Sequence, residues 1–572
     1  MKWVLSYLKP LRNRVYVGTL IKIIGTIAEL IIPFLLTHIL DNVIGSNDIS
    51  KIIFYGVLMT LCALVACLGN IIANRMAAKT TMIFSTQMRK DLFSKTLHLS
   101  ATNTDKFTIP SLESRITTDT YNVQNFMGMI QRMGIRAPIL LIGGAIITMI
   151  MDPKLSLIMI ATMPLIFIVV YSIRRRGVPL YSTVQQSVDG MVRVIREDAQ
   201  GIRVIKALSK VDYENARYDK ANVTLRKNET KAGIIMGVVN PIMTLLMNLG
   251  IVAVVAFSAY FVSKGTSTTA TVIAFMQYFT LISMAMMALS RMFVMYTKCA
   301  ASANRIADVL TNESELKIIE DASKGDDSLH ISFEDVSFSY LGKKNNIKSV
   351  SFSIKRGQTL GIIGATGSGK STIIRLLMRF YDTTSGIIRI NGKDIRSYTP
   401  KELTAMFGVV FQNDFLYSDT IKENICFGRD ISEEDMIAAA KIAQAHDFIT
   451  SFEDGYMHHI STAGTNLSGG QRQRVLISRA IAGKPEILVL DDSSSALDYK
   501  TDANLRAALS NALPNSTVIT VAQRVSSVKN CDLILVIERG VIIGCGTHEH
   551  LMENCDEYKE ISDSQMGGAF LE

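Results

Sequence analysis

Eight residues, Gly364-Ala-Thr-Gly-Ser-Gly-Lys-Ser371, carry the pattern GxxxxGK[ST]. A phosphate accounts for the fixed positions of this pattern. Gly364, Gly367 and Gly369 let backbone N–H groups wrap the phosphates, and Thr366, Ser368 and Thr372 complete the same loop. Lys370 meets the β/γ oxygens, and Ser371 offers a hydroxyl to magnesium. An apolar strand expected over Thr359 to Ile363 leads in and a helix expected over Thr372 to Phe380 leads out. With that context the pattern predicts ATP or GTP binding. Further on, Ile487 to Asp498 reads ILVLDDSSSALD, and the apolar run ending in Asp491 is what a buried, magnesium-holding strand looks like. Asp492 places a second carboxylate beside the first. Before this strand, Leu467-Ser-Gly-Gly-Gln471 opens another apolar helix. Ser468 can cap that helix, and Gly469 and Gly470 allow close backbone approach to a phosphate.

The phosphate loop, LSGGQ (Ser468 to Gln471 after Leu467) and SALD after the acidic strand together resemble the nucleotide-binding domain of ABC transporters. Six apolar spans with long polar extensions resemble the membrane half of exporters in that superfamily, and the likeness covers nearly the whole chain. The resemblance implies ATP and Mg2+ as cofactors. It also implies that Tyr340 stacks on adenine, that Gln412 in Val410-Phe-Gln412 links magnesium and the water to the membrane half, and that Asp498 belongs to a loop acting across a dimer. The chain departs from the family pattern at three places. Asp492 stands where the family has a glutamate acting on the attacking water, and Gln523 stands where a histidine contacts the γ-phosphate. Thr462 and Ala463 replace a Glu-Arg pair ahead of LSGGQ.

The first two departures matter physically. Aspartate withdraws the carboxylate by roughly 1.5 Å, and a displacement of about 1 Å can cost on the order of a hundredfold in rate. A glutamine can hydrogen-bond a phosphate but carries neither proton nor charge. In the ABC family two such domains pair head to tail, each ATP lying between one chain's phosphate loop and the other's LSGGQ. The expectation is therefore one half of a heterodimeric exporter of drug-like or lipophilic compounds. Its own ATP site turns over slowly, its Ser468, Gly469, Gly470 and Gln471 act in trans, and a second half-transporter supplies the glutamate and histidine. A homodimeric exporter of drugs, lipids or peptides, or a membrane nucleotide-sensing subunit, are the alternatives.

Positioning these residues requires a membrane α-helical domain joined to an α/β domain. Of 572 residues, 48% are apolar and 19% charged, too apolar for an ordinary soluble protein and too charged for a purely membrane one. Six spans are expected, over about Val15 to Leu40, Ile52 to Asn74, Arg136 to Ile150, Leu155 to Ile173, Ile234 to Val262 and Thr271 to Tyr296. The net charge of +9 clusters at one side: Lys2, Lys9, Arg12 and Arg14 precede the first span, and Arg174 to Arg176 end the fourth. That is the positive-inside pattern, which puts both termini in the cytoplasm and argues against nucleic acid. The first apolar span lacks the layout of a cleavable signal and is expected to stay as a membrane helix.

Two polar stretches, about Arg75 to Arg132 and Arg174 to Lys231, keep a helical apolar period and read as cytoplasmic extensions of membrane helices. Residues 1–310 are expected to form the membrane domain, 311–328 an acidic linker and 329–572 the nucleotide-binding domain. Ser111 to Asp119 and Arg196 to Lys206 resemble the family's two coupling helices. Seven cysteines show neither disulfide nor metal-ligand spacing. Glu29 stands near the middle of the first span, where an ionisable group is expensive and a functional candidate. It is expected on the substrate path, binding cations or carrying protons, or else locking helix packing. Lys22 is shallow enough to snorkel, and the methionines between Ser283 and Tyr296 suit packing or an adaptable wall.

Overall fold

The computed structural model describes residues 2–566 apart from 47, 265–267, 313–315, 321–324, 341, 343–344 and 494–495. Ser495 of SALD, parts of the 311–328 linker, and the side chains of Arg174 and Arg176 lie outside the described residues. The chain divides into two compact units. One comprises residues 1–98 and 109–312, the other 99–108 and 313–572.

The long helices are α1 (Arg12–His38), α2 (Ile49–Leu97), the short α3 (Ala101–Phe107), α4 (Thr120–Met133), α5 (Arg136–Met151), α6 (Pro153–Ala207), α7 (Val211–Gly237), α8 (Val239–Ser263) and α9 (Thr269–Leu310). All but α3 belong to the first unit. Five described stretches are long and apolar enough to cross a bilayer, within 6–43, 49–97, 109–151, 244–263 and 269–289. The fourth expected span falls in α6, whose described apolar part is Pro153–Thr162. Asp152 separates α5 from α6 by capping the latter, its Oδ1 accepting from the Lys154 and Leu155 N–H groups at 3.0 and 3.2 Å. Small residues let α1 and α2 touch: a Cβ added to Gly69 would lie 3.3 Å from Gly25 Cα, the close approach that membrane helix pairs favour. Tyr278 of α9 reaches across to donate to the Leu30 carbonyl at 2.6 Å. Leu20, Ile53, Phe54 and Leu157 are exposed, as helices facing lipid require.

The polar extensions are helical, with breaks. α2 runs to Leu97, and α6 continues without interruption from its apolar start to Ala207. Arg196 to Lys206 is thus the last part of one long helix. Ser111 to Asp119 likewise stays with the first unit; the segment that joins the second unit is Leu99–Thr108. Ser100 caps α3 by accepting from the Asn103 N–H at 3.3 Å, and Thr108 ends it at φ +62°. Tyr381 donates to Asp105 Oδ2 of this helix at 2.6 Å.

The second unit is built on two sheets. The smaller, of order β2-β1-β4-β5, is antiparallel and consists of β1 (Ile331–Phe338), β2 (Ile347–Ile354), β4 (Ser385–Ile390) and β5 (Lys393–Asp394). The larger has order β10-β9-β3-β8-β7-β6, with β3 (Thr359–Ile363), β6 (Phe407–Val410), β7 (Ile487–Asp491), β8 (Thr517–Val521), β9 (Leu533–Glu538) and β10 (Val541–Gly546). Five of its strands are parallel and β10 is an antiparallel edge. The parallel strands read as unbroken apolar runs because both faces are covered, and every residue of β7 is buried. The membrane helical domain plus α/β nucleotide-binding domain expected from the sequence is the architecture observed.

Candidate nucleotide site

In a doubly wound sheet, ligands collect at the carboxyl ends of the strands. Four neighbouring strands of the larger sheet end together here. β3 leads into the glycine loop and the helix α10 (Lys370–Leu377). β8 ends at Val521, directly before Ala522 and Gln523. β7 ends at Asp491, opposite Val521 in the ladder, and β6 precedes Gln412. Residues scattered over more than 150 positions are thereby gathered around one pocket of about 180 Å³. Its walls include Thr366, Gly367, Gly369, Lys370, Ser371, Thr372, Gln412, Asp491, Asp492 and Gln523.

The loop is shaped for an anion. Gly367 and Gly369 have φ of +80° and +113°, values that favour glycine. At Gly364 the obstacle is closeness: an added Cβ would sit 2.1 Å from the Ile537 carbonyl oxygen. Helix α10 begins at Lys370, two residues earlier than the sequence suggested, so its free N–H groups end at the loop. The Lys370 ammonium donates to the Gly364 and Ala365 carbonyls at 2.8 and 2.9 Å, held over the cradle by the loop itself. Among the described residues the Ser368 hydroxyl is buried without a partner. Unsatisfied donors, a positive helix end and a fixed ammonium fit a polyphosphate. The Ser371 hydroxyl and the buried carboxyl of Asp491 line the pocket together, the hydroxyl acting to lower the Asp491 pKa, and this hard-oxygen pair fits magnesium. Burial pushes the Asp491 carboxyl above its ordinary range, and the Asp492 charge adds to this. Asp492 is also raised by burial, while burial lowers Lys370 against the opposing pull of both carboxylates.

Asp492 follows the strand at φ +53°, its N–H donating to the Val521 carbonyl at 2.9 Å. Its Oδ2 lies between two amides, accepting from Gln412 Nε2 at 3.5 Å and from Gln523 Nε2 at 3.4 Å. The two departures from the family pattern therefore touch each other. Tyr340 stands beside the pocket and is not among its described lining residues. Its hydroxyl donates to Thr372 Oγ1 at 3.2 Å, and its ring packs edge-on to Phe338 and Tyr381.

Ser468, Gly469, Gly470 and Gln471 are elsewhere on the same unit and do not line the pocket among its described residues. They open the helix α11 (Gly469–Ile481) in a capping box, with Ser468 Oγ accepting from the Gln471 N–H and Gln471 Oε1 accepting from the Ser468 N–H. Ala496 of SALD packs on them, its carbonyl 3.2 Å from where a Cβ on Gly470 would stand. Asp498 caps the helix α12 (Tyr499–Ala512) through the Thr501 N–H and hydroxyl. Ala463, at φ +60°, donates its N–H to the Leu416 carbonyl.

Two contributors escaped motif reading. Asn346 lines the pocket and accepts from the Tyr340 N–H at 3.2 Å, but it sits in a loop between strands with no pattern around it. Gln565, in the helix α13 (Asp556–Met566), donates to the Gln523 carbonyl and accepts from the Val525 N–H at 2.9 and 2.8 Å. Its distance in sequence hid it.

In the membrane unit, Glu29 lines a cavity of about 440 Å³ with Ile32, Pro33 and Leu281. Its carboxylate is spent on Arg136, which donates from Nη2 at 2.7 Å and Nε at 3.3 Å. The ion pair joins α1 to α5 at the cavity wall, an arrangement in keeping with the helix-locking alternative.

Family models of the ABC transporter transmembrane region and of the ABC transporter domain match residues 15–286 and 347–495. The ABC transporter ATP-binding protein YfiB of Bacillus subtilis (strain 168) is 33% identical over 572 residues, covering 99% of both chains. The chain belongs to the ABC transporter family. The ABC transporter ATP-binding protein Rv1273c of Mycobacterium tuberculosis (strain H37Rv) is 30% identical over 98% of this chain and 97% of its own length. In fold, the chain is similar to a bacterial Atm1-family ABC exporter solved with ATP bound, with a TM-score of 0.82, 24% identity, and 96% and 98% of the two chains covered. As an ABC transporter it is a membrane-embedded, ATPase-coupled carrier whose nucleotide-binding domain is cytoplasmic and takes ATP, normally with Mg2+.

Proposed function

We propose that this ABC transporter is one half of a heterodimeric exporter of lipophilic or drug-like compounds, holding a long-lived ATP on its own phosphate loop. Gly364, Thr366, Gly367, Ser368, Gly369 and Thr372 cradle the phosphates, and Lys370 neutralises them. Ser371, Gln412 and Asp491 hold magnesium, and Tyr340 flanks the adenine. The observation that carries the reading is the Gln412–Asp492–Gln523 contact. A shortened carboxylate between two neutral amides is poorly suited to polarise water, and no imidazole lines the pocket among its described residues. Ser468 to Gln471, exposed or half-buried at a helix start, are intact and serve the partner's ATP. The bilayer and a small-molecule substrate are the other partners.

The test is ATP hydrolysis by the purified chain alone and after co-expression with a candidate partner half-transporter. The expected result is slow turnover alone and substrate-stimulated turnover in the complex. Equal vigorous turnover by the isolated chain favours a homodimer. A complex whose turnover no substrate alters favours a nucleotide sensor.

A further inference from the structure

Besides the cavity beside Glu29, the membrane unit holds a second one of about 490 Å³. Lys22 of α1, Asn70 and Asn74 of α2, Arg132 of α4 and Arg136 of α5 line it, with two methionines of α4. Lys22 precedes Glu29 by seven residues, about 10 Å along α1, toward the basic end that charge asymmetry puts at the cytoplasmic face.

Three cations therefore face one cavity, and only Arg136 has a carboxylate partner, Glu29. Among the described residues Lys22 and Arg132 make no ion pair. Lys22 does not snorkel, since it is 2% exposed. Its ammonium donates to Asn70 Oδ1 at 2.7 Å and Asn74 Oδ1 at 3.1 Å, which leaves a third N–H. Arg132 donates its Nε to the Gly128 carbonyl at 3.0 Å, and its side chain is otherwise open. Amide dipoles offset only part of what it costs to bury an ammonium at membrane depth. An anion would complete the balance through charge-assisted bonds. Arg136 lines this cavity while its partner Glu29 lines the apolar one. The ion pair is thus the boundary between a cationic compartment and an apolar one.

We propose that the two cavities together form a site for an anionic amphiphile. Its carboxylate, phosphate or sulfate group is held by Lys22, Arg132 and Arg136, and its apolar body lies along Ile32, Pro33 and Leu281. This narrows the substrate class and rests on the transport reading only in placing the site on the substrate path.

The test uses the full chain in phosphatidylcholine nanodiscs without ATP, titrated calorimetrically with dodecyl phosphate, inorganic phosphate and dodecyltrimethylammonium. A parallel arm includes phosphatidic acid in the disc and reads retained lipid by native mass spectrometry. Dodecyl phosphate is expected to bind and the cation not to. Arg132→Gln, at an exposed position, and Lys22→Gln are each expected to weaken binding about tenfold. Retention of phosphatidic acid with the same dependence assigns the lipid leaflet as source. Competition by inorganic phosphate supports head-group recognition from the aqueous side. Failure of both dodecyl phosphate and phosphatidic acid to bind, or binding that Arg132→Gln leaves unchanged in a folded protein, overturns the proposal. Since no ATP is present, that failure leaves the nucleotide reading standing, and a failed ATPase test leaves this one standing.

Discussion

Restoring Asp492→Glu together with Gln523→His is the perturbation that bears hardest on the slow-site reading. Asp492 Oδ2 now meets Gln412 and Gln523 amides at 3.5 and 3.4 Å, both at the long limit of a hydrogen bond. The backbone of residue 492 is anchored by its N–H on Val521, so an added methylene moves the carboxylate roughly 1.5 Å toward the pocket rather than shifting the strand. About 1 Å of placement is worth on the order of a hundredfold, or ~2.7 kcal/mol of barrier. The histidine adds a proton carrier where an amide now stands. In the complex, with the partner's own hydrolytic site inactivated, single-turnover release of phosphate from ATP bound at this chain's loop should rise about a hundredfold. ATP affinity should change little, because the phosphate cradle is untouched. A double variant no faster than the parent, while still binding ATP, refutes the idea that these two side chains limit turnover.

Further outcomes follow from contacts elsewhere. The pKa of Asp491 is raised in the fold, so its contribution to stability is present below the unfolded pKa and lost as pH rises through the folded one. Asp491→Asn should therefore raise the melting midpoint of the nucleotide-free protein at about pH 8, by roughly 2–4 °C for each kcal/mol relieved. The gain should shrink toward about pH 4, and Mg·ATP should protect the variant less. Tyr381→Phe removes the hydrogen bond to Asp105 of α3, and should lower substrate stimulation of ATPase several-fold at a cost of about 1 kcal/mol in stability; unchanged stimulation excludes a coupling role. Arg136→Gln leaves the Glu29 carboxylate unpaired and should destabilise the membrane unit by roughly 1–3 kcal/mol, read by thermal denaturation. The double variant with Glu29→Gln should recover most of that loss, giving a coupling energy in a double-mutant cycle.

The nucleotide-binding half was legible because its chemistry is local. A phosphate loop is contiguous, and its flanking strand and helix announce themselves by apolar pattern. Asp491 was readable as a strand end for the same reason. What the sequence concealed is everything settled by long-range pairing. Glu29 reads alone as a costly charge, and only the fold brings Arg136, 107 positions away, against it. Ser111 to Asp119 is more charged than Leu99 to Thr108 and drew the coupling assignment. The docking segment is nevertheless chosen by Tyr381 reaching Asp105 across 276 positions. Lys22 looked able to snorkel because nothing in its own helix says that Asn70 and Asn74 lie opposite.

The placement of the departures also says why they can coexist with an intact LSGGQ. Asp492 and Gln523 lie at strand ends inside the pocket, where they act on whatever this chain's own loop holds. Ser468 and Gln471 are fixed by their mutual capping box at the start of α11, with support from Ala496, and owe nothing to the side chains of Asp492 or Gln523. A change of side chain at either position would therefore leave the geometry of LSGGQ unaltered. A chain freed from hydrolysing its own ATP would keep LSGGQ only if another molecule's nucleotide depended on it, since a helix start is capped equally well by Ser or Asp without two glycines after it. The Gly469-Gly470 pair would serve a nucleotide on the facing chain whether that chain is a second copy or an unlike partner, and the turnover rate of the facing chain's own site is what separates the two.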